Sequence, residues 1–399
     1  MQQFRGRSCL SDDIDTVPHE AAPLLRKWKD EGIPVLTSEE PWSLQTKDEL
    51  LARGCHLSAQ ENSDFLREEF AEFIESGYWM VLPYRLVREL ENLKLSPAAV
   101  KAERARKPRL LCDHSWYPIN ETTISRAPQE SMQFGGTLAR ILRSVRRANP
   151  RYGPTRLSKH DIKDGCYRMF LRARDCPQLA ITLPHYESEE PLVALPMALT
   201  MGWVESPPSF CVMSETTADE ANRRFSLAPR HCPRHRLSSI AEENDDITKE
   251  ARPLERAPVE RDLRDQLRKL GTGQEFPEEP EDEWKRVPSA RNTYQRPLGD
   301  TDVCMDDFIQ IGQGGQKRMR CLRDHLLWAI DAILAKPGLD ETRRTEAVSL
   351  KKLLKGDGSW CTRKEILAHQ ARAGHVASRG GKSGLSNKPI FPQPLCLSL

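Results

Sequence analysis

The chain has almost no surplus charge. Its 60 lysines and arginines meet 58 acids, a net of +2, so the whole-chain field selects neither nucleic acid nor an anionic surface, and only a local patch does. It has no long apolar run. The longest stretch, Leu192 to Trp203, is interrupted by Pro196 and is too short to span a bilayer. Met1 to Leu10 holds Arg5 and Arg7 and no apolar core, so it does not read as a secretory signal. The 11 cysteines contain no Cys-x-x-Cys pair. An odd, scattered set implies reduced thiols rather than a disulfide framework. The expectation is a soluble intracellular chain, in cytoplasm or nucleus, with no membrane partner.

Two motifs are present only in part. His231-Cys232-Pro233-Arg234-His235 offers three ligand types, but the spacing matches no tetrahedral zinc pattern. The glycines from Gly312 to Gly315 lack a Gly-Lys-Ser/Thr ending, so they read as a turn rather than a phosphate loop. Apolar residues make up only 38% of the chain, and prolines number 29. With a mean hydropathy of −0.62, sizeable exposed or disordered stretches are expected.

Hydrophobic periodicity divides what remains. Residues 1–60 are mixed and read as an N-terminal extension. In 61–77 a helix is predicted, with Phe65, Phe70, Phe73 and Ile74 near one face and Gly77 closing it. Trp79 to Leu82 and Arg109 to Cys112 read as strands, with a charged, partly helical stretch over 84–108 between them. Residues 131–147 read as a helix with Leu138, Ile141, Leu142 and Val145 on one stripe and Arg140, Arg143, Arg146 and Arg147 on another. The arginine stripe is either a solvated face or a phosphate contact. Tyr167 to Leu171, Leu179 to Leu183 and Leu192 to Leu199 read as strands, and Pro207 to Arg224 as a helix with prolines in its first turn. Proline, acids and arginine dominate 227–300, which reads as a disordered insertion with one short helix at 258–270. Met319, Leu322, Leu326, Ile330 and Ile333 then recur at helical spacing. The segment 371–399 reads as a disordered tail.

The chemistry-bearing motif is Cys304-Met305-Asp306-Asp307-Phe308. Apolar flanks around a polar pair predict a tight β-hairpin with both carboxylates at its tip. Asp-Asp in a turn is usually only solvated, but such a tip also suits hard divalent cations. Lys159-His160-Asp161-Ile162-Lys163-Asp164-Gly165-Cys166-Tyr167-Arg168 adds a carboxylate at the end of another short run. Carboxylates gathered from separate segments are what two-metal phosphoryl transfer needs.

Between these two lies Met201-Gly202-Trp203-Val204-Glu205-Ser206-Pro207-Pro208-Ser209-Phe210. In that order the three segments resemble the reverse transcriptases of retroviruses and LTR-type retrotransposons, notably retroelement polyproteins of fungi and oomycetes. The likeness extends through Trp79 to Pro83, Lys107 to Asp113, Ala127 to Gly135 and Ser349 to Asp357, over about residues 15–368. It implies an α+β, right-hand polymerase with fingers and palm, the palm an antiparallel sheet backed by helices. Fingers would fill 61–156, and the palm 157–226 and 301–370. It implies two Mg²⁺ (or Mn²⁺) ions on Asp161, Asp306 and Asp307, an RNA or DNA template with its primer, and deoxynucleoside triphosphates. Asp164, Gly165 and Cys166, with Gly202 and Trp203, would line the nucleotide site. Lys107 and Arg109 would meet phosphates, Lys351 or Lys352 stands near the same site, and Arg140, Arg143 and Arg147 would contact nucleic acid.

The chain also departs from that pattern. Cysteine stands at 304 and 166 where the family has aromatics, so sugar discrimination by a bulky gate is not expected. His160 replaces an apolar strand residue. The likeness fades near Ile366 to His369, without ribonuclease H, integrase or protease segments, as a truncated or degenerate copy would. A non-catalytic remnant that binds nucleic acid is the second expectation. A scaffold protein is the third, and it expects Asp161 to lie far from Asp306 and Asp307.

Overall fold

Two sheets organise the chain, and each is made of strands distant in sequence. The computed structural model describes residues 8–102, 107–185, 189–247, 293–336, 345–366 and 369–372. It is an α+β fold with one five-stranded mixed sheet and one three-stranded antiparallel sheet.

The larger sheet has the order β1 (Trp79–Pro83), β6 (Leu192–Pro196), β5 (Ala180–Thr182), β2 (Leu95–Lys101), β3 (Arg109–Cys112). All its pairs are antiparallel except β2 with β5, which run parallel from Leu95 opposite Ala180 to Pro97 opposite Thr182. Strand β2 falls in the stretch read as charged and partly helical. The helical part there is one turn, Tyr84–Val87, after which the chain extends. Ser96, Pro97 and Ala98 carry no strand signal of their own, so β2 is imposed by its neighbours on both sides. Proline lacks an N–H and is unusual inside a sheet.

The smaller sheet has the order β4 (Arg156–Asp161), β8 (Asp307–Gly312), β7 (Gly299–Cys304). Period-two alternation sorts its side chains. Phe308, Gln310 and Gly312 face two long helices, α5 (Ser206–Leu227) and α6 (Gln316–Ile333), which also pack on each other. Pro207 and Pro208 fall in the first turn of α5, where no intrahelical N–H is lost. On α6 the residues Met319, Leu322, Leu326, Ile330 and Ile333 are all buried, so the predicted stripe is the packing face. The opposite sheet face, through Leu157, Ile309 and Ile311, is covered by α4 (Thr137–Arg147), which offers Ile141, Leu138 and Val145. That helix starts later than predicted, because residues 129–131 and 134–136 form separate 3-10 turns.

Residues 8–60 contribute to the same core as the helices of the smaller sheet. Helix α1 (Ala22–Glu31) buries Leu25 and Trp28, and Ile33 bridges to Leu171. Helix α2 (Leu44–Arg53) follows, capped by the Ser43 hydroxyl. Helix α3 (Ser63–Glu75) buries Leu66 and Phe70 and ends before Gly77, whose φ of +73° suits glycine. Tyr167 to Leu171, read as a strand, is instead the end of a 3-10 turn, Gly165–Arg168, followed by isolated bridges at Phe170 and Leu171. Aromatic and apolar residues there serve the core rather than a ladder.

The stretch read as a disordered insertion is ordered at its start. Ser238–Glu242 is helical, and Leu237, Ala241 and Ile247 are buried. The helix expected at 258–270 lies outside the described residues, as does the tail beyond Arg372. The last described strands, β9 (Arg363–Ile366) and β10 (His369–Arg372), pair antiparallel. Between α6 and β9 a short helix, α7 (Leu350–Leu354), lies against β4. No helix among the described residues is long and apolar enough to cross a membrane.

Candidate active site

The predicted hairpin is present, but only Asp306 lies in its turn, and Asp307 is already the first residue of β8. Cys304 pairs with Asp307, leaving Met305 and Asp306 as a two-residue turn. Met305 has φ +57°, the position where such turns prefer glycine. A left-handed methionine stores about 1–3 kcal/mol that its surroundings must offset. Its sulfur lies 3.6 Å from Cys211 Sγ on α5. The turn is thereby fastened to α5, the helix that begins within the Met201 to Phe210 segment.

Asp161 ends β4 directly opposite Asp307 on β8. Directly opposed strand residues have Cα atoms about 4.5–5.5 Å apart, so the two carboxylates share one face at one end of the sheet. Past Asp161 the chain bends under the hairpin. Ile162 N–H donates to the Asp306 carbonyl at 2.9 Å, and Ser349 N–H donates to the Asp161 carbonyl at 2.9 Å. A Cβ added at Gly165 would lie 3.4 Å from Asp306 Cβ and 3.4 Å from the Phe210 ring. All three segments singled out in the sequence therefore meet at the end of the smaller sheet.

The electrostatics follow from crowding acids at a buried end. Asp161 is 7% exposed. Burial, resisted by Lys352 and reinforced by Asp306 and Asp307, pushes its carboxyl up to about 7. Burial first, then Asp307, pushes Asp306 up to about 6. Burial and like-charge crowding both disfavour the ionised form of these carboxylates. Two ammonium groups partly answer it. Lys352 on α7 bonds Asp161 Oδ1, and Lys159 Nζ stands 2.9 Å from Asp307 Oδ2. Burial pulls the Lys159 ammonium down, yet Asp307, Asp357 and Asp161 raise it overall. The Asp307 Oδ1 atom is buried with no hydrogen-bond partner.

Three carboxylates with an orphaned buried oxygen suit a hard divalent cation by donor chemistry. In this conformation, however, no three His, Cys, Asp or Glu side chains among the described residues are gathered as a metal-holding group.

The remaining predicted residues sit in varied places. Asp164 is left-handed, φ +58°, and accepts from the Tyr78 hydroxyl at 3.4 Å. Cys166 is half-buried, its thiol pushed up to about 12 by burial and then by Asp306. Gly202 has φ +118°, and its backbone lies against Cys112. Trp203 is 2% exposed and its indole N–H donates to Thr123 at 3.1 Å, so it is a core residue with no open ring face. Lys107 is engaged by Glu69 and Glu72 of α3, at 2.5 Å and 3.5 Å. Arg109 starts β3, at the edge of the larger sheet. Arg140 makes a two-point pair with Asp302, at 2.6 Å and 2.8 Å. Arg147 lies over the Tyr294 ring at 4.9 Å, and Arg143 is exposed.

Sequence reasoning did not select Lys159, and it put Lys351 or Lys352 near the nucleotide site without pairing either with a carboxylate. For Lys159 a signal existed, because it stands two residues before Asp161 and so shares its strand face. His235, from the incomplete ligand motif, is buried in a 2.9 Å pair with Asp331, and Cys232 Sγ lies 3.5 Å from His325 Nδ1. Compared with known proteins, the chain matches no family model and no curated protein.

Proposed function

We propose that the chain is a reverse-transcriptase-like domain of retroelement origin, a right-hand polymerase whose palm is the smaller sheet with α5 and α6. Its reaction is template-directed DNA synthesis from deoxynucleoside triphosphates on a primed RNA or DNA strand. The observation that carries this reading is the cross-strand adjacency of Asp161 and Asp307, with Asp306 at the turn and Gly165 against it. Residues separated by more than a third of the chain meet in the order the resemblance implies.

Asp161, Asp306 and Asp307 would hold the ions. Two divalent cations, when bound, would supply activation of the primer 3′-hydroxyl and neutralisation of the triphosphate. The chain's own part is positioning. The β4–β8 ladder fixes Asp161 against Asp307, and the Met305 turn presents Asp306. Gly165, with no side chain, leaves backbone close to the carboxylates.

The second reading is a non-catalytic remnant that binds nucleic acid. Lys352 and Lys159 seated on the carboxylates favour it, as does Cys166 in place of an aromatic. A scaffold role expects Asp161 far from Asp306 and Asp307, and their adjacency speaks against it.

Primer extension by the purified full chain, with Mg²⁺ or Mn²⁺ on RNA and DNA templates, tests the proposal. The expected result is extension that falls at least about 100-fold in Asp306→Asn. A folded wild type that binds primer–template in a salt-dependent way but never extends it establishes the remnant reading instead.

A further inference from the structure

Each of the two opposed aspartates carries an ammonium group from this same chain. The two lysines differ in attachment. Lys352 stands on the five-residue helix α7, and its side chain is 44% exposed. Lys159 stands in the middle of β4, and its side chain is 16% exposed. An ammonium and a divalent cation are both compact hard charges, and both seek the same carboxylate oxygens. They cannot fill the same positions together.

We propose that Lys159 and Lys352 are built-in counter-ions that hold the carboxylates in the cation-free state and compete with divalent cations for them. This rests on the metal-site reading above. The attachment assigns the two lysines different parts. Lys352, at the rim and half-exposed, leaves Asp161 for solvent when a cation arrives. Lys159, fixed within the β4–β8 ladder, stays close and sets how strongly the site attracts a cation. The device keeps a crowded acidic end folded without metal and makes cation binding an exchange of charges rather than a simple addition.

Mn²⁺ titration of the full chain at mildly alkaline pH tests it, with free Mn²⁺ read by its electron paramagnetic resonance signal. Lys352→Met removes the ammonium that competes for Asp161, so Mn²⁺ binds about tenfold tighter. Lys352→Arg keeps the charge and stays near the wild-type affinity. Lys159→Met tightens binding at least as much where it remains folded by circular dichroism, and Lys352→Met alone decides where it does not. Equal affinity in wild type and Lys352→Met overturns the counter-ion proposal while leaving the metal site standing. Absence of Mn²⁺ binding in every folded variant, or wild-type binding in Asp306→Asn, overturns the metal-site reading and the proposal with it.

Discussion

A Cβ built on Gly202 would stand 2.0 Å from the carbonyl oxygen of Cys112. Gly202 also has φ +118°, which an L side chain rarely adopts. The two residues join the Met201 to Phe210 segment to the edge strand β3, where Cys112 N–H donates to the Met201 carbonyl at 3.2 Å. Backbone cannot yield as a flexible side chain does. Gly202→Ala is expected to lose about 3 kcal/mol or more in denaturant unfolding. Gly135→Ala, where a Cβ meets nothing within 4 Å, is expected to change little. Equal stability of the two variants contradicts the close approach.

Arg323 is 0% exposed, and its guanidinium reaches Asp245 at 2.5 Å and Glu242 at 3.5 Å. It also donates to the Gly358 carbonyl at 3.2 Å. It thus ties α6 both to residues 242–245 and to the chain after α7. Arg323→Met leaves Asp245 without its buried partner and is expected to cost about 3–5 kcal/mol. The double change Arg323→Met with Asp245→Leu is expected to recover most of that loss. A double variant no more stable than the single one refutes the pairing account.

The site end of the smaller sheet was legible because its signals are local. Apolar flanks around Asp306-Asp307 announce a hairpin, and the spacing from Met319 to Ile333 announces the helix behind it. In the larger sheet β1, β3, β5 and β6 were legible from the same kind of local signal, whereas β2 was not. Strand β2 takes its conformation from β5 and β3, more than 80 and about ten residues away, and its Ser-Pro-Ala run carries no strand propensity. The Lys352–Asp161 pair spans 191 residues and depends on where α7 comes to rest, which no periodicity encodes. Trp203 illustrates the converse. A motif position implied contact with a ligand, while tertiary packing encloses the ring.

The arginines of α4 separate into two kinds. Arg140 is bound at two points by Asp302, whereas Arg143 is exposed on the next turn. Arg143→Ala is expected to reduce the salt slope of primer–template binding by about 1 and leave the melting temperature nearly unchanged. Arg140→Ala is expected to lower the melting temperature and leave the slope unchanged. The opposite assignment, read from affinity at several salt concentrations, rejects this division.

Glu215 on α5 lies in a cleft with Arg140, Arg143, Asp219, Asp300 and Asp302. Burial pushes its carboxyl up to about 7, with Arg140 opposing and Asp302 and Asp219 reinforcing. Asp300 beside it is pushed up to about 6, by burial and then Asp302. The unfolded chain releases the Glu215 proton near 4.5. Between that value and about 7 the folded state therefore holds the proton more tightly than the unfolded state. The stabilisation is complete below 4.5 and is lost as pH rises through the folded value near 7. Glu215→Gln fixes a neutral group in place and removes this loss. It is expected to flatten stability against pH across that window and to raise stability by about 1 kcal/mol on its alkaline side, less than the full linkage because the cleft is open to water. Asp300 remains in the variant, so a residual slope nearer pH 6 is expected. Unfolding curves at several pH values decide the matter, and a Glu215→Gln slope identical to that of the wild type shows that this carboxyl titrates as it does in the unfolded chain.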